Sequence, residues 1–167
     1  MSKSCTHRAS IAAVLACLFI AVQPARGQTD SVVAELDAFW AEVVKSVTQW
    51  SVAAQKATYH PDAVGVYGTA DSYSTSLVWD DYAAREADST STNNRPRNPG
   101  LEFRFSSRVH SASSAHEVGL YHFWADGRED YYGTVDSYLV KKDGQWMILV
   151  EIQFEPAVTE ADWDALR

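Results

Sequence analysis

Histidine, tyrosine and carboxylate are the side chains that can do chemistry beyond the first 27 residues of this chain, because both cysteines, Cys5 and Cys17, fall inside that segment. His122 and Tyr131 are the first candidates. They flank Asp126-Gly127, a strong two-residue hairpin signal, and such a loop sets Trp124 opposite Glu129, His122 opposite Tyr131 and Val118 opposite Val135. His122 would then act as acid or base, with Tyr131 donating a hydrogen bond to a substrate carbonyl or hydroxyl. The competing reading is a hydrogen-bonded pair packed in a core. Asp62, just after Pro61, can serve as a general base at a pocket mouth or simply cap a turn. Glu117, Asp136 and Glu151 fall in one row across three strands. That row would bind a divalent cation or hold a carboxyl protonated, or it is a solvated row compensated by Arg104 and Arg108. His60, His110 and His116 would bind metal only if they converged, which strands at those positions disfavour.

The elements that must position these groups follow from periodicity. Val32, Leu36, Phe39, Trp40, Val43, Val47 and Trp50 recur at helical spacing and predict an amphipathic first helix with an aromatic stripe. A short helix is expected over 51–58, then a turn at His60-Pro-Asp62 and a short strand over 63–67. Thr75 and Ser76 are read as caps of a third helix reaching Ala87, and 88–100 as a loop. Four runs rich in aromatic and β-branched residues, 101–112, 116–125, 128–142 and 145–154, read as strands. Asp143-Gly144 marks a second hairpin, pairing Leu139 with Ile148, Ser137 with Val150 and Val135 with Ile152. Thr159 and Asp162 predict a capping box on a last short helix.

Alternation then assigns faces. One face collects Val118, Leu120, Trp124, Val135, Leu139, Trp146, Ile148, Val150, Ile152 and Phe154, with His116, His122, Tyr131 and Ser137 as polar groups within it. The other collects Glu117, Tyr121, Asp130, Tyr132, Asp136, Tyr138, Glu151 and Gln153, and is expected to face solvent or another subunit. Ser107 opposite Val118 brings Arg108 opposite Glu117 and keeps Phe103 and Phe105 on the core side. Trp40, Tyr59, Tyr67, Trp79, Tyr82, Trp124 and Ser137 are the candidate pocket-lining residues. Gly65 and Gly133 read as points of strand bend or close packing.

The first 27 residues have the form of a cleavable secretory signal: Lys3 and Arg8, an apolar run from Ala9 to Val22, and small residues around a cut after Gly27. The apolar run is shorter than the ~20 residues that span a bilayer. Lys3, Arg8 and Arg26 are three of the 14 basic residues, so residues 28–167 carry 11 bases against 22 acids, a net charge of −11. Such a surface argues against nucleic acid or anionic membrane as partner. These 140 residues suit one domain, and without cysteine they have neither disulfide nor thiolate chemistry.

Tyr59-His-Pro-Asp-Ala-Val64 and Tyr138-Leu-Val-Lys-Lys-Asp-Gly-Gln-Trp-Met-Ile148, in this order of helices and strands, resemble the two signatures of the nuclear transport factor 2-like superfamily. The similarity is greatest to SnoaL-like and ketosteroid-isomerase-like domains. The resemblance implies an α+β cone: a curved antiparallel sheet wrapped around the N-terminal helices, a pocket at its wide end, and a homodimer. It does not imply one reaction, since isomerases, cyclases, dehydratases, epoxide hydrolases and non-catalytic proteins share the fold. Isomerase relatives carry an aspartate near the position of Asp62. Where many relatives have two histidines after the tryptophan, this chain has Val150 and Ile152, and its helix stripe has no tyrosine before Tyr59. The expectation is an exported domain that binds a small, mostly apolar molecule without cofactor or metal and dimerises through its sheet. A cofactor-free isomerase or hydrolase and a purely structural dimer are the alternatives.

Overall fold

A computed structural model describes residues 26–69, 71–87, 95–155 and 158–166. The expected signal segment, apart from Arg26 and Gly27, and both cysteines lie outside the described residues. Four helices, α1 (Arg26–Thr48), α2 (Val52–Ala57), α3 (Val78–Ala87) and α4 (Glu160–Ala165), accompany six strands. The strands are β1 (Tyr59–Thr69), β2 (Tyr73–Leu77), β3 (Arg97–His110), β4 (Ser114–Asp126), β5 (Tyr131–Lys142) and β6 (Gln145–Glu155). They form one curved, unclosed sheet in the order β2-β1-β6-β5-β4-β3, antiparallel except where β1 runs parallel to β6.

The helical stripe does the work its spacing predicts. Val32, Leu36, Trp40 and Val43 are buried on the concave side of the sheet with Val135, Leu139, Trp146 and Ile148. Burying each large aliphatic side chain contributes roughly 1.5–3 kcal/mol. The stripe stops short of Trp50. There the chain leaves α1 with φ 55°, Ser51 N–H bonding Ser46 O (3.1 Å) and Trp50 N–H bonding Val47 O (2.9 Å), the pattern of a Schellman stop. Glu35, on the opposite flank of α1, accepts from Lys141 Nζ (2.5 Å) and Trp146 Nε1 (3.1 Å), tying the helix to the β5–β6 hairpin.

Two register events decide which residues face the core. At Asp143-Gly144 both residues have positive φ, as a two-residue turn of the I′ type requires, and Leu139 pairs with Ile148 as predicted. At Asp126-Gly127 only Gly127 has positive φ among the two, and the loop is longer. His122 therefore pairs with Tyr132, Phe123 with Tyr131, and Val118 with Asp136. A slip of one residue turns a whole strand over. Ala115, Glu117, Gly119 and Tyr121 of β4 face the core, while His116, Val118, Leu120, His122 and Trp124 face outward.

The second event is a bulge in β6. Pairing shifts by one between Tyr138↔Val150 and Leu139↔Ile148, leaving Leu149 as the extra residue. Beyond it Val150 and Ile152 point outward, and Glu151 and Gln153 take the concave face. The expected row of Glu117, Asp136 and Glu151 is thus corrected to Glu117, Ser137 and Glu151, on the inner face. Asp136 faces outward, against His116 Nε2 at 2.9 Å. A third irregularity, between Phe105 and Ser107, keeps Phe103 and Phe105 inward. It sets Arg108 opposite Glu117 as expected, but on the core side.

Two smaller corrections concern the N-terminal half. His60-Pro-Asp62 is not a separate turn but an outward loop of β1, whose pairing jumps from Tyr59↔Ile148 to Val64↔Val150. Thr75 and Ser76, read as caps of the third helix, instead lie in strand β2 paired with β1, and α3 starts at Val78. The capping box of α4 is present, with Thr159 and Asp162 bonding each other's backbone N–H.

Candidate binding site

Between α1, α3 and the concave sheet face lies a cavity of about 290 Å³. Trp40, Leu101, Phe103, Val135 and Ile148 give it apolar walls, and Tyr59, Tyr67, Tyr82 and Tyr121 bring four phenols. Glu151, partly buried, lines the cavity beside these phenols. It accepts a hydrogen bond from Tyr59 Oη at 2.8 Å and from Gln153 Nε2 at 3.0 Å. Both donors are neutral. Burial pushes the Glu151 carboxyl above the ordinary carboxylate range, the two hydrogen bonds opposing that rise only in part.

The four phenols respond to the same surroundings. Burial raises each, and the nearby Glu151 charge raises all four further, most strongly in Tyr59, which stays a neutral donor far into the alkaline range. Tyr82 Oη lies 3.4 Å from Gln55 Oε1, and the Arg85 guanidinium sits 4.9 Å from the Tyr82 ring centroid. Two glycines make room for the tyrosines. A Cβ on Gly65 would lie 2.4 Å from the Tyr67 ring, and one on Gly133 would lie 2.5 Å from the Tyr121 ring. Each ring lies flat across a glycine, which is the close packing expected of both positions.

Beside the cavity lies a wider groove of about 1240 Å³ between the β1–β2 hairpin and the start of β5, and the two share Tyr67, Tyr121, Thr134 and Gln153. Tyr73, Tyr131 and Phe154 line the groove with Glu129, Asp130 and Glu160. Trp40 forms the cavity's opposite wall. Its indole Nε1–H donates to Glu117, which is fully buried and also accepts from Arg108 Nε at 2.5 Å. Arg108 Nη1 reaches Asp37 of α1 at 2.6 Å. Ser137, between the two glutamates, is fully buried, and among the described residues its hydroxyl has no hydrogen-bond partner, nor has the buried Arg108 Nη2.

The residues predicted from sequence fall into three groups. Trp40, Tyr59, Tyr67 and Tyr82 line the cavity. Trp79 packs beside it and donates from Nε1 to Tyr59 O at 3.2 Å, and Ser137 lies in the glutamate row behind it. The remaining four do not meet there. His122 faces outward, bonded to Asp130 (2.9 Å) and stacked on Tyr132, with Trp163 of α4 beside it. Trp124 lies on that same outer face against Gly100. Tyr131 is at the groove, 5.9 Å from Tyr121 between ring centroids, and its strand partner is Phe123, not His122. Asp62 is exposed, with His60 Nδ1 at 3.6 Å. The register slip at Gly127 is what separates His122 from Tyr131. Among the described residues no group of three histidines, cysteines or acids is arranged to hold a metal ion. Sequence reasoning missed Glu151 and Tyr121 as cavity residues, and the Leu149 bulge and the Gly127 loop are the reasons.

This geometry can be set beside known proteins. No protein-family model matches the sequence, and no curated protein matches it either. Solved structures do match. A nuclear transport factor 2-like protein from Salmonella enterica superposes with a TM-score of 0.58 at 16% identity, over 78% of this chain and 95% of that one. The chain has the nuclear transport factor 2-like fold. A second such protein, of unknown function, from Shewanella oneidensis gives 0.54 at 16% identity over 76% of this chain and 98% of its own. A proposed scytalone dehydratase from Novosphingobium aromaticivorans gives 0.55 at 16% identity, covering 76% and 85%. At these identities the likeness speaks for the fold. The fold is the one the sequence resemblance expects.

Proposed function

We propose that the protein binds a small, mostly apolar molecule in the cavity between α1, α3 and the sheet, with Glu151 and Tyr59 as its polar anchor. One observation carries this reading: a carboxyl and a phenol, hydrogen-bonded to each other, facing a largely apolar cavity of about 290 Å³, near the lower end of the usual ligand-pocket range. The expected biological setting is an exported homodimer, for which the sequence of residues 1–27 and the outward aromatic residues Trp124 and Tyr138, 37% and 44% exposed, are the support. Native mass spectrometry of the protein taken from its own host tests it. The expected spectrum shows a dimer carrying a bound small-molecule mass that is released on denaturation. Protein without such a mass, whose melting no member of a broad metabolite panel raises, would sink the reading.

A second reading is a cofactor-free isomerase or hydrolase, and Glu151 favours it. A buried carboxyl with a raised pKa is the state in which a general acid or base works near neutral pH. In that reading Glu151 moves the proton and Tyr59 steadies the charge it leaves or takes. The resemblance to a proposed dehydratase is compatible with such chemistry at the level of fold alone.

A further inference from the structure

Binding in the cavity leaves open what charge the ligand bears, and the surroundings of Glu151 bear on that question. Its two hydrogen-bond donors, Tyr59 and Gln153, are neutral. Asp81 and Arg85, also lining the cavity, stand one turn apart on α3, so together they add no net charge. The groove outside contributes Glu129, Asp130 and Glu160, and among its described lining residues no lysine, arginine or histidine. His122 offsets Asp130 from the outer face when protonated. The groove's acids and π-faces thus adjoin a carboxylate that has no cationic partner of its own among the described residues.

We infer that the cavity takes an organic cation: an apolar amine or quaternary ammonium whose charged head lies against Glu151 among Tyr59, Tyr67, Tyr82 and Tyr121. This rests on the small-molecule reading above and narrows it to a ligand class. The physical reasons are three. An aromatic ring attracts a cation through its negative face, most strongly where water is excluded. A carboxylate buried without a counter-ion is costly, and a ligand cation removes that cost. Acidic groups lining a cleft raise the local concentration of cations and their association rate. A neutral carbonyl ligand would use the phenols but leave the groove's acids without a role, and an anion would be repelled by all of them. At a water's liquid share of about 30 Å³, the cavity holds on the order of ten non-hydrogen atoms, so the ligand is compact.

The test compares charge at constant shape. Phenyltrimethylammonium and tert-butylbenzene have the same outline and differ by one positive charge, and phenylacetate supplies a negative one. Affinities for the purified full protein are measured by ligand-observed NMR at low salt. The expected result is that the ammonium binds at least about tenfold tighter than its carbon isostere, and that Glu151→Gln reduces that advantage by about threefold or more while leaving tert-butylbenzene within about twofold. Because tyrosine contacts survive in the variant, its circular dichroism spectrum should be unchanged. Should Glu151→Gln fail to fold, the wild-type pair decides alone. Equal binding of the two isosteres, preference for phenylacetate, or a cation preference undiminished in Glu151→Gln each overturns the inference while leaving a binding cavity. If no probe binds, the small-molecule reading falls with it.

Discussion

Removing the Glu117 carboxylate should be among the most damaging single changes in this domain, although sequence alone places the residue on a solvated face. Glu117 is fully buried and accepts from Trp40 Nε1 and Arg108 Nε. Glu117→Ala leaves the indole N–H buried without an acceptor, which costs about 1–3 kcal/mol. It also leaves Arg108, whose Nη2 has no hydrogen-bond partner among the described residues, with Asp37 as its remaining carboxylate. Breaking a buried ion pair by deleting one member costs about 3–5 kcal/mol, a large part of the 5–15 kcal/mol typical of a whole domain. Urea unfolding followed by tryptophan fluorescence measures it, the midpoint moving at nearly constant slope. Glu117→Gln, which keeps one acceptor oxygen but no charge, should lie between wild type and alanine. A double-mutant cycle with Trp40→Phe isolates the indole bond, with an expected coupling of about 1–2 kcal/mol. A loss below about 1 kcal/mol for Glu117→Ala, or zero coupling to Trp40, would refute the account of Glu117 as the group that fixes the cavity wall.

Burial raises the Glu151 pKa, so the folded state holds that proton more tightly than the unfolded chain. Its contribution to stability is therefore fully present below the unfolded pKa and lost as pH rises through the folded one. The stability of Glu151→Gln relative to wild type should thus increase as pH rises above the ordinary glutamate range, and a difference that is flat with pH in chemical denaturation contradicts this. At Gly119 an added Cβ would lie 2.0 Å from Arg104 O, a backbone atom that cannot swing away, whereas at Gly127 it would meet nothing but the φ of 71° would be strained. Gly119→Ala should accordingly cost about 2–3 kcal/mol and Gly127→Ala about 1 kcal/mol. Equal melting temperatures for the two variants would contradict the close approach of β3 and β4 at that bulge.

What could be read from the sequence was whatever its local physics decides. The stripe on α1 is helical because apolar residues at that spacing have one face to bury, and the same residues are the buried ones. The hairpin at Asp143-Gly144 was legible because both positions must have positive φ and the sequence supplies an aspartate and a glycine there. The capping box at Thr159 was legible for the same reason. Strand β2 was not, since Tyr73 to Leu77 are mostly exposed and stay extended through pairing with β1, a contact remote from their own composition. Nor was the loop after Asp126, where one more residue than the minimum reverses β4. His122 and Tyr131 were drawn together by the shorter loop and separated by the longer one.

The two glutamates show why the site itself was hidden. In β6 the pattern Val150-Glu-Ile-Gln153 favours the valine and isoleucine for the interior, and a regular strand would put them there. The bulge at Leu149 reverses that preference, so the chain accepts a carboxyl and an amide inside and two aliphatic side chains outside. Local rules tend to be broken where function constrains the fold. Glu117 is also an acid inside, but it is fully answered: an arginine and an indole occupy its oxygens, and a structural role accounts for it. Among the described residues Glu151 is answered by a phenol and an amide, neither charged, and it lines a cavity. Stability alone would favour an aliphatic residue or a partnered acid at that position. The unneutralised carboxyl is therefore the feature of this structure that most needs a ligand to explain it.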